Sequence, residues 1–132
     1  MILIDTHIWV WWLSNPEKLS PVARNAVQDA ARKRSIYVSS ISAWEIALLV
    51  SNERLSFTMD AQDWIARAEG LPFFHFIPVD NAIAVRSVRL EEPFHKDPAD
   101  RIIVATAITM GIPLVSSDTK LLKYPHVKTI WN

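Results

Sequence analysis

The sequence predicts an α/β fold: a central parallel sheet of about five strands with helices packed on both faces. Three observations carry that reading. Short apolar runs alternate with longer capped segments along the whole chain, the order in which strands and crossover helices follow one another in a parallel sheet. The runs are apolar throughout rather than alternating, as expected of strands covered on both faces. Acidic residues recur just beyond the ends of those runs, where a buried strand emerges from the sheet. At 132 residues the chain makes a single domain, residues 1–132, long enough for a real core and too short for two.

Met1 to Ile4 reads as the first buried strand, with Asp5 at its carboxyl end. The stretch IWVWWL is a short helix ending before Ser14, Asn15 and Pro16. Trp9, Trp11 and Trp12 cannot all share one face of it, so the core takes some and a contact surface can take the remainder. Ser20 and Pro21 cap and open a polar helix to about Arg34, whose basic end, Arg32 to Arg34, complements the helix dipole. Ile36 to Ser39 is the second strand. In the helix after it, running to about Asn52, Ser42 and Glu45 match a serine-x-x-glutamate capping box and put Glu45 in the first turn.

Glu53 to Met59 is a connector, and Asp60 to Gly70 a helix stopped by Gly70 and Pro72. Asp60 and Asp63 are assigned to capping and solvent, because no strand delivers them to a sheet edge. Phe73 to Val79 is the third strand, with His75 as a core or edge residue. Asp80 caps a helix to about Leu90, and Glu91, Glu92 and Pro93 form a loop.

The stretch His95 to Ala107, HKDPADRIIVATA, follows. Asp97 before Pro98 is a helix start, since proline is tolerated in the first turn and the aspartate can cap the free amides. Asp100, Ile103, Val104 and Ala107 then form one stripe, an acid at the open end and apolar side chains below it. The same acids also fit a capping box that only stabilises the helix end, so the local pattern leaves both readings open. Gly111 and Ile112 turn into PLVSS, the fourth strand, which ends at Asp118. Asp118 to Leu122 is a short helix and His126 to Trp131 the final strand.

Composition excludes several functions. Half of the residues are hydrophobic, so the chain is globular. No apolar run approaches the roughly 20 residues that span a bilayer, and MILIDTH carries no basic leader; a cytoplasmic protein is expected. There is no cysteine, hence no disulfide and no thiolate metal site. Fourteen basic residues balance 14 acidic ones, so any hold on nucleic acid must come from a local patch or a metal. Glycine-rich phosphate loops and the serine elbow are absent, and the histidines follow no triad pattern.

Asp5, Glu45, Asp100 and Asp118 remain. Each occupies a strand end or a helix tip, and in open parallel sheets the carboxyl edge is where ligands bind. Gathered carboxylates repel one another and call for a cation. Oxygen donors without cysteine or a histidine pair indicate Mg²⁺ or Mn²⁺ rather than zinc. The chemistry that follows is phosphate-ester hydrolysis by an activated water, with one ion or with two about 4 Å apart.

The strand-end Asp5 in LIDTH, the SAWEIALL helix, HKDPADRIIVATA and the closing LVSSD together resemble the PIN-domain ribonucleases, in particular the VapC-type toxins of prokaryotic toxin–antitoxin pairs. The resemblance spans nearly the whole chain. It implies a PIN-like α/β/α sandwich and Mg²⁺-dependent cleavage of RNA. Asp5, Glu45, Asp100 and Asp118 fall on the family's acidic quartet, with Asp5, Asp100 and Asp118 as metal ligands. Asp97 would support the site or cap the helix, and Thr6 and Ser117 would supply hydroxyls beside it. Lys96, Arg101, Lys120 and Lys123 flank the site and could contact RNA phosphates, or serve as ordinary surface cations. A cognate antitoxin and a homodimer are the implied protein partners. Two other readings stay open: a catalytically silent binding module with this fold, and a small-molecule phosphohydrolase. The second is disfavoured by His7, which stands where aspartyl-nucleophile phosphatases carry a second acid.

Overall fold

The computed structural model describes residues 1–132. Five strands form one parallel sheet in the order β3-β2-β1-β4-β5: β1 Ile2–Ile4, β2 Ile36–Ser39, β3 Phe74–Ile77, β4 Leu114–Val115 and β5 Thr129–Ile130. Seven helices connect and cover them: α1 Thr6–Ser14, α2 Pro21–Arg32, α3 Ser40–Ser51, α4 Ala61–Glu69, α5 Asn81–Val88, α6 Pro98–Met110 and α7 Thr119–Leu122.

The period of two along each strand divides the interior into two cores. Ile2, Ile4, Ile36, Val38 and Val115 face one side and pack with Ile8 and Trp9 of α1, Val27 of α2, Ile46 of α3 and Ala68 of α4. Leu3 and Leu114 face the other side and meet Ile83 of α5, Ile103, Val104 and Ala107 of α6, and Leu121 of α7. The sheet is therefore the middle layer of an α/β/α sandwich, as the sequence predicts. The stripe below Asp100 is the floor of the second core, with Ile103, Val104 and Ala107 fully buried.

Connections reverse direction at β1. The chain first moves outward through β2 to β3, covering one face with α1 to α4, then returns to the far side of β1 through α5 and α6. A crevice forms outside the carboxyl ends of the strands at such a switch point. Here it lies between β1 and β4, where Ile4 pairs with Val115. That register places Asp5 level with Ser116, and Ile4 paired with Val38 places it level with Ser39 on the other flank.

Several boundaries differ from the sequence reading. Strand three is confined to Phe74–Ile77, and strand five to Thr129–Ile130 because Tyr124 and Val127 turn into the second core before pairing starts. The first helix starts two residues earlier, at Thr6, with Asp5 as its cap. The helix after β2 starts at Ser40, and the cap is Ser39, whose Oγ accepts from the Ile41 amide at 3.2 Å. Ser42 and Glu45 therefore form no capping box: Ser42 is buried inside the helix, and Glu45 lies past its first turn. His75 sits on the edge strand, exposed, with its Nε2 2.7 Å from the Arg34 carbonyl oxygen. Of the tryptophans, Trp9 is fully buried and Trp11 and Trp12 pack partly exposed against the first core.

Candidate active site

Asp5 anchors the crevice. Its Oδ1 accepts from the Thr6 amide at 2.7 Å and its Oδ2 from the Ser116 hydroxyl at 2.7 Å. Burial leaves it 7% exposed. Ser116 Oγ also accepts from the Asp118 amide at 3.0 Å, so one hydroxyl ties the end of β1 to the loop that carries Asp118. Asp118 in turn caps α7, accepting from the Lys120 amide at 2.8 Å.

Glu45 reaches the crevice from α3. Thr6 Oγ1 lies 2.6 Å from Glu45 Oε1 and 2.8 Å from Ser42 Oγ. A hydroxyl carries one proton, so with Thr6 donating to the glutamate, Ser42 donates to Thr6. Asp100 reaches it from the first turn of α6, with Oδ2 2.7 Å from His95 Nε2. The cap of that helix is Asp97, whose Oδ1 accepts from the Asp100 amide at 3.1 Å. A capping box would need the Asp100 side chain to reach back to the cap amide. It turns to His95 instead, which separates the capping role of Asp97 from the position of Asp100.

The acids form one electrostatic unit. Burial pushes the Glu45 carboxyl up to about 7; the Thr6 hydrogen bond opposes this, and the charges of Asp5, Asp100 and Asp97 add to it. Burial likewise pushes Asp100 up to about 6, against the His95 hydrogen bond and with the charges of Asp5, Asp97 and Asp118 behind it. Asp5 is raised by burial, opposed by the bonds from Ser116 and Thr6. A divalent cation would relieve all of these strains at once, and a carboxylate set suits Mg²⁺ or Mn²⁺. No three acidic or histidine side chains are gathered closely enough to hold an ion as they stand. Asp5, Glu45 and Asp100 are hydrogen-bonded to Ser116, Thr6 and His95, and the donor type fits a hard cation, which would draw the carboxylates closer together.

The residues named from the sequence thus sort by contact. Asp5, Glu45, Asp100 and Asp118 come to one crevice, Thr6 bonds to Glu45, and Asp97 caps α6 beside them. Ser117 is not the supporting hydroxyl at Asp5: period two along β4 gives that place to Ser116, its neighbour. Arg101 is not available to a phosphate. Its guanidinium donates to the carbonyls of Ser87 at 2.8 Å and His95 at 3.1 Å, with longer contacts to Phe94, Val88 and Glu92. Lys96, Lys120 and Lys123 are exposed. The latter two line a groove of about 380 Å³ with Phe94, His95 and Tyr124. A larger depression of about 540 Å³ between α5 and His126 includes none of the four acids.

Sequence reasoning missed Ser116 and His95, and took Ser42 for a helix cap. Only the order of strands, with β4 beside β1, reveals Ser116. His95 carried a local signal, a histidine two residues before a helix cap and five before the acid.

The fold agrees with comparisons to known proteins. Residues 2–127 match the PIN domain family. The chain is 34% identical over 133 residues to ribonuclease VapC22 of Mycobacterium tuberculosis, spanning 98% of each chain. Among solved structures it superposes on VapBC2 from Rickettsia felis, bound to a DNA fragment from their promoter, with a TM-score of 0.73 at 19% identity over 100% of both chains. FitAcB from Neisseria gonorrhoeae superposes with a TM-score of 0.69 at 24% identity, covering 100% of this chain and 97% of that one. The chain belongs to the PIN-domain family, in its VapC branch.

Proposed function

We propose that this protein is a Mg²⁺- or Mn²⁺-dependent endoribonuclease and the toxin of a toxin–antitoxin pair. The observation that carries the reading is the meeting of four carboxylates from four separated elements at the β1/β4 switch point, two of them pushed well above the usual carboxylate range. Asp5, Asp100 and Asp118 would hold the ion. When bound, it supplies charge neutralisation at the phosphate and a more acidic water. Glu45, hydrogen-bonded to Thr6 Oγ1, would take the proton of the attacking water. Ser116 keeps both Asp5 and the Asp118 loop in place. Lys96, Lys120 and Lys123 at the rim would hold the phosphates of the strand.

The relatives support the partner reading: VapC22 is named a ribonuclease, and a neighbour from Klebsiella pneumoniae is described as a toxin–antitoxin complex. Trp44 and Leu48 of α3, 55% and 42% exposed, offer apolar surface for a cognate antitoxin or for a second copy in a homodimer. No helix is long and apolar enough to cross a membrane.

Purified protein should cleave RNA with Mg²⁺ or Mn²⁺ and not with a chelator present, and Asp5→Ala or Asp100→Ala should lower the rate by at least about 100-fold. Full activity in either variant removes that residue from the assignment. One observation favours a second reading, a silent module with this fold: the acids, though gathered in one crevice, are hydrogen-bonded within the chain, and no three stand close enough to share an ion. Calorimetric titration with Mn²⁺ separates the two, since a silent module gives no heat of binding.

A further inference from the structure

His95 is set over Asp100 by more structure than a connecting loop needs. The imidazole Nε2 and Asp100 Oδ2 are 2.7 Å apart, with the side chains only 20% and 16% exposed. An ionised carboxylate only accepts, so Nε2 carries a proton in this contact. Nδ1 is buried with no hydrogen-bond partner. A buried nitrogen left unpaired is unfavourable, so the ring is not there to satisfy itself.

The surroundings hold the ring from outside. Phe94 packs against it with ring centroids 4.3 Å apart, and Phe94 rests on Tyr124 at 4.5 Å. Tyr124 donates its hydroxyl to the Glu91 carbonyl at 2.8 Å, fixing the start of the loop. Arg101, one residue past Asp100, donates to the His95 carbonyl at 3.1 Å, so the helix that carries the acid also anchors the histidine. The other oxygen of Asp100, Oδ1, takes part in no hydrogen bond.

We propose that His95 is a positioning residue: its Nε2–H holds one oxygen of Asp100 and fixes the carboxylate plane, so that the other oxygen is presented to the cation. The role rests on the metal-dependent reading above. It does not make His95 a ligand, because the nitrogen that could ligate is the one that donates. Outer partners of metal-binding side chains fix orientation in this way, and their loss typically weakens metal affinity or activity about 10- to 100-fold.

The test is calorimetric titration of Mn²⁺ into the full chain, wild type beside His95→Ala and His95→Gln, with thermal melts of each metal-free protein. Glutamine places an amide N–H near the place of Nε2–H. The expected result is about 10-fold or greater loss of Mn²⁺ affinity in His95→Ala, recovered largely by His95→Gln, with similar melting temperatures. Wild-type affinity in His95→Ala overturns the proposal. So does a His95→Gln protein that melts with wild type yet binds Mn²⁺ no better than the alanine variant. If alanine impairs folding, His95→Asn replaces it: its amide is one methylene too short to reach, and wild-type affinity there is equally fatal. A wild-type chain that binds no Mn²⁺ overturns the metal-dependent reading itself, an outcome distinct from a loss confined to the variants.

Discussion

Glu45 and Asp100 are held where their own ionisation is opposed. Burial is the main cause in both, and neighbouring carboxylates reinforce it, pushing the groups to about 7 and about 6 from ordinary values of 4.5 and 3.8. Between those limits the folded chain binds more protons than the unfolded one, so this contribution to stability is complete below the unfolded values and is lost as pH rises through the folded ones. Metal-free protein should therefore melt highest in mild acid and lose about 1–2 kcal/mol between about pH 4 and pH 7, after allowance for solvent screening. For a chain of this size that is about 5 °C in melting temperature. Saturating Mn²⁺ should flatten the dependence, and Asp100→Asn should raise the metal-free melting temperature near neutral pH while diminishing the gain from Mn²⁺. Scanning calorimetry across that range measures both; a metal-free melting temperature that climbs from about pH 5 to about pH 7 contradicts the account.

Among the elements, α6 is tied to its neighbours beside the crevice, and Arg101 shows how. Its guanidinium crosses to the end of α5 and to the loop before α6, donating to the Ser87 and His95 carbonyls. Arginine can do this because its donors form a fixed fork, whereas lysine offers a single point. Arg101→Lys should cost about 2 kcal/mol, and hydrogen exchange in residues 91–96 should speed up while the protection of the sheet is kept. Unchanged exchange in that loop would show that Phe94 and Tyr124 hold it unaided. The elements themselves were legible in the sequence, because uniformly apolar strands and proline-led helices leave local marks, as at Ile36 to Ser39 and at Asp97 and Pro98. The capping role of Ser42 was misread because the box pattern occurs one turn inside the helix that Ser39 opens. The function of Arg101 was illegible for a different reason: its acceptors are backbone carbonyls, which every sequence has. Ser116 was hidden by strand order, since the neighbour of β1 comes more than a hundred residues later in the chain.

At the scale of the molecule, balanced net charge conceals a separation. The acids are drawn inward to the switch point, while Lys96, Lys120 and Lys123 are exposed, the latter two along the groove that His95 lines, and none of the three lysines is engaged in an ion pair. Lys120 and Lys123 are one turn apart on and after α7, which Asp118 caps, so the helix that presents an acid to the crevice also carries cations along the groove beside it. On the proposed reading, an RNA strand would meet positive charge beside the acids without the chain being basic overall, and the acids would be left to the cation. Reversing Lys120 or Lys123 to glutamate should weaken RNA binding about fivefold each near physiological salt, equally across RNA sequences, because a lysine that touches only phosphate reads no base. The slope of log affinity against log salt should become shallower by about 0.7 for each phosphate that is no longer neutralised. Mn²⁺ affinity by calorimetry should be preserved within about twofold, since neither lysine side chain bonds to an acid of the quartet. Fluorescence anisotropy with a labelled single strand, in chelator so that nothing is cleaved, reads the affinity and its salt slope. A reversal that leaves the slope unchanged places the strand elsewhere, and one that abolishes Mn²⁺ binding shows that the rim and the crevice are not separate.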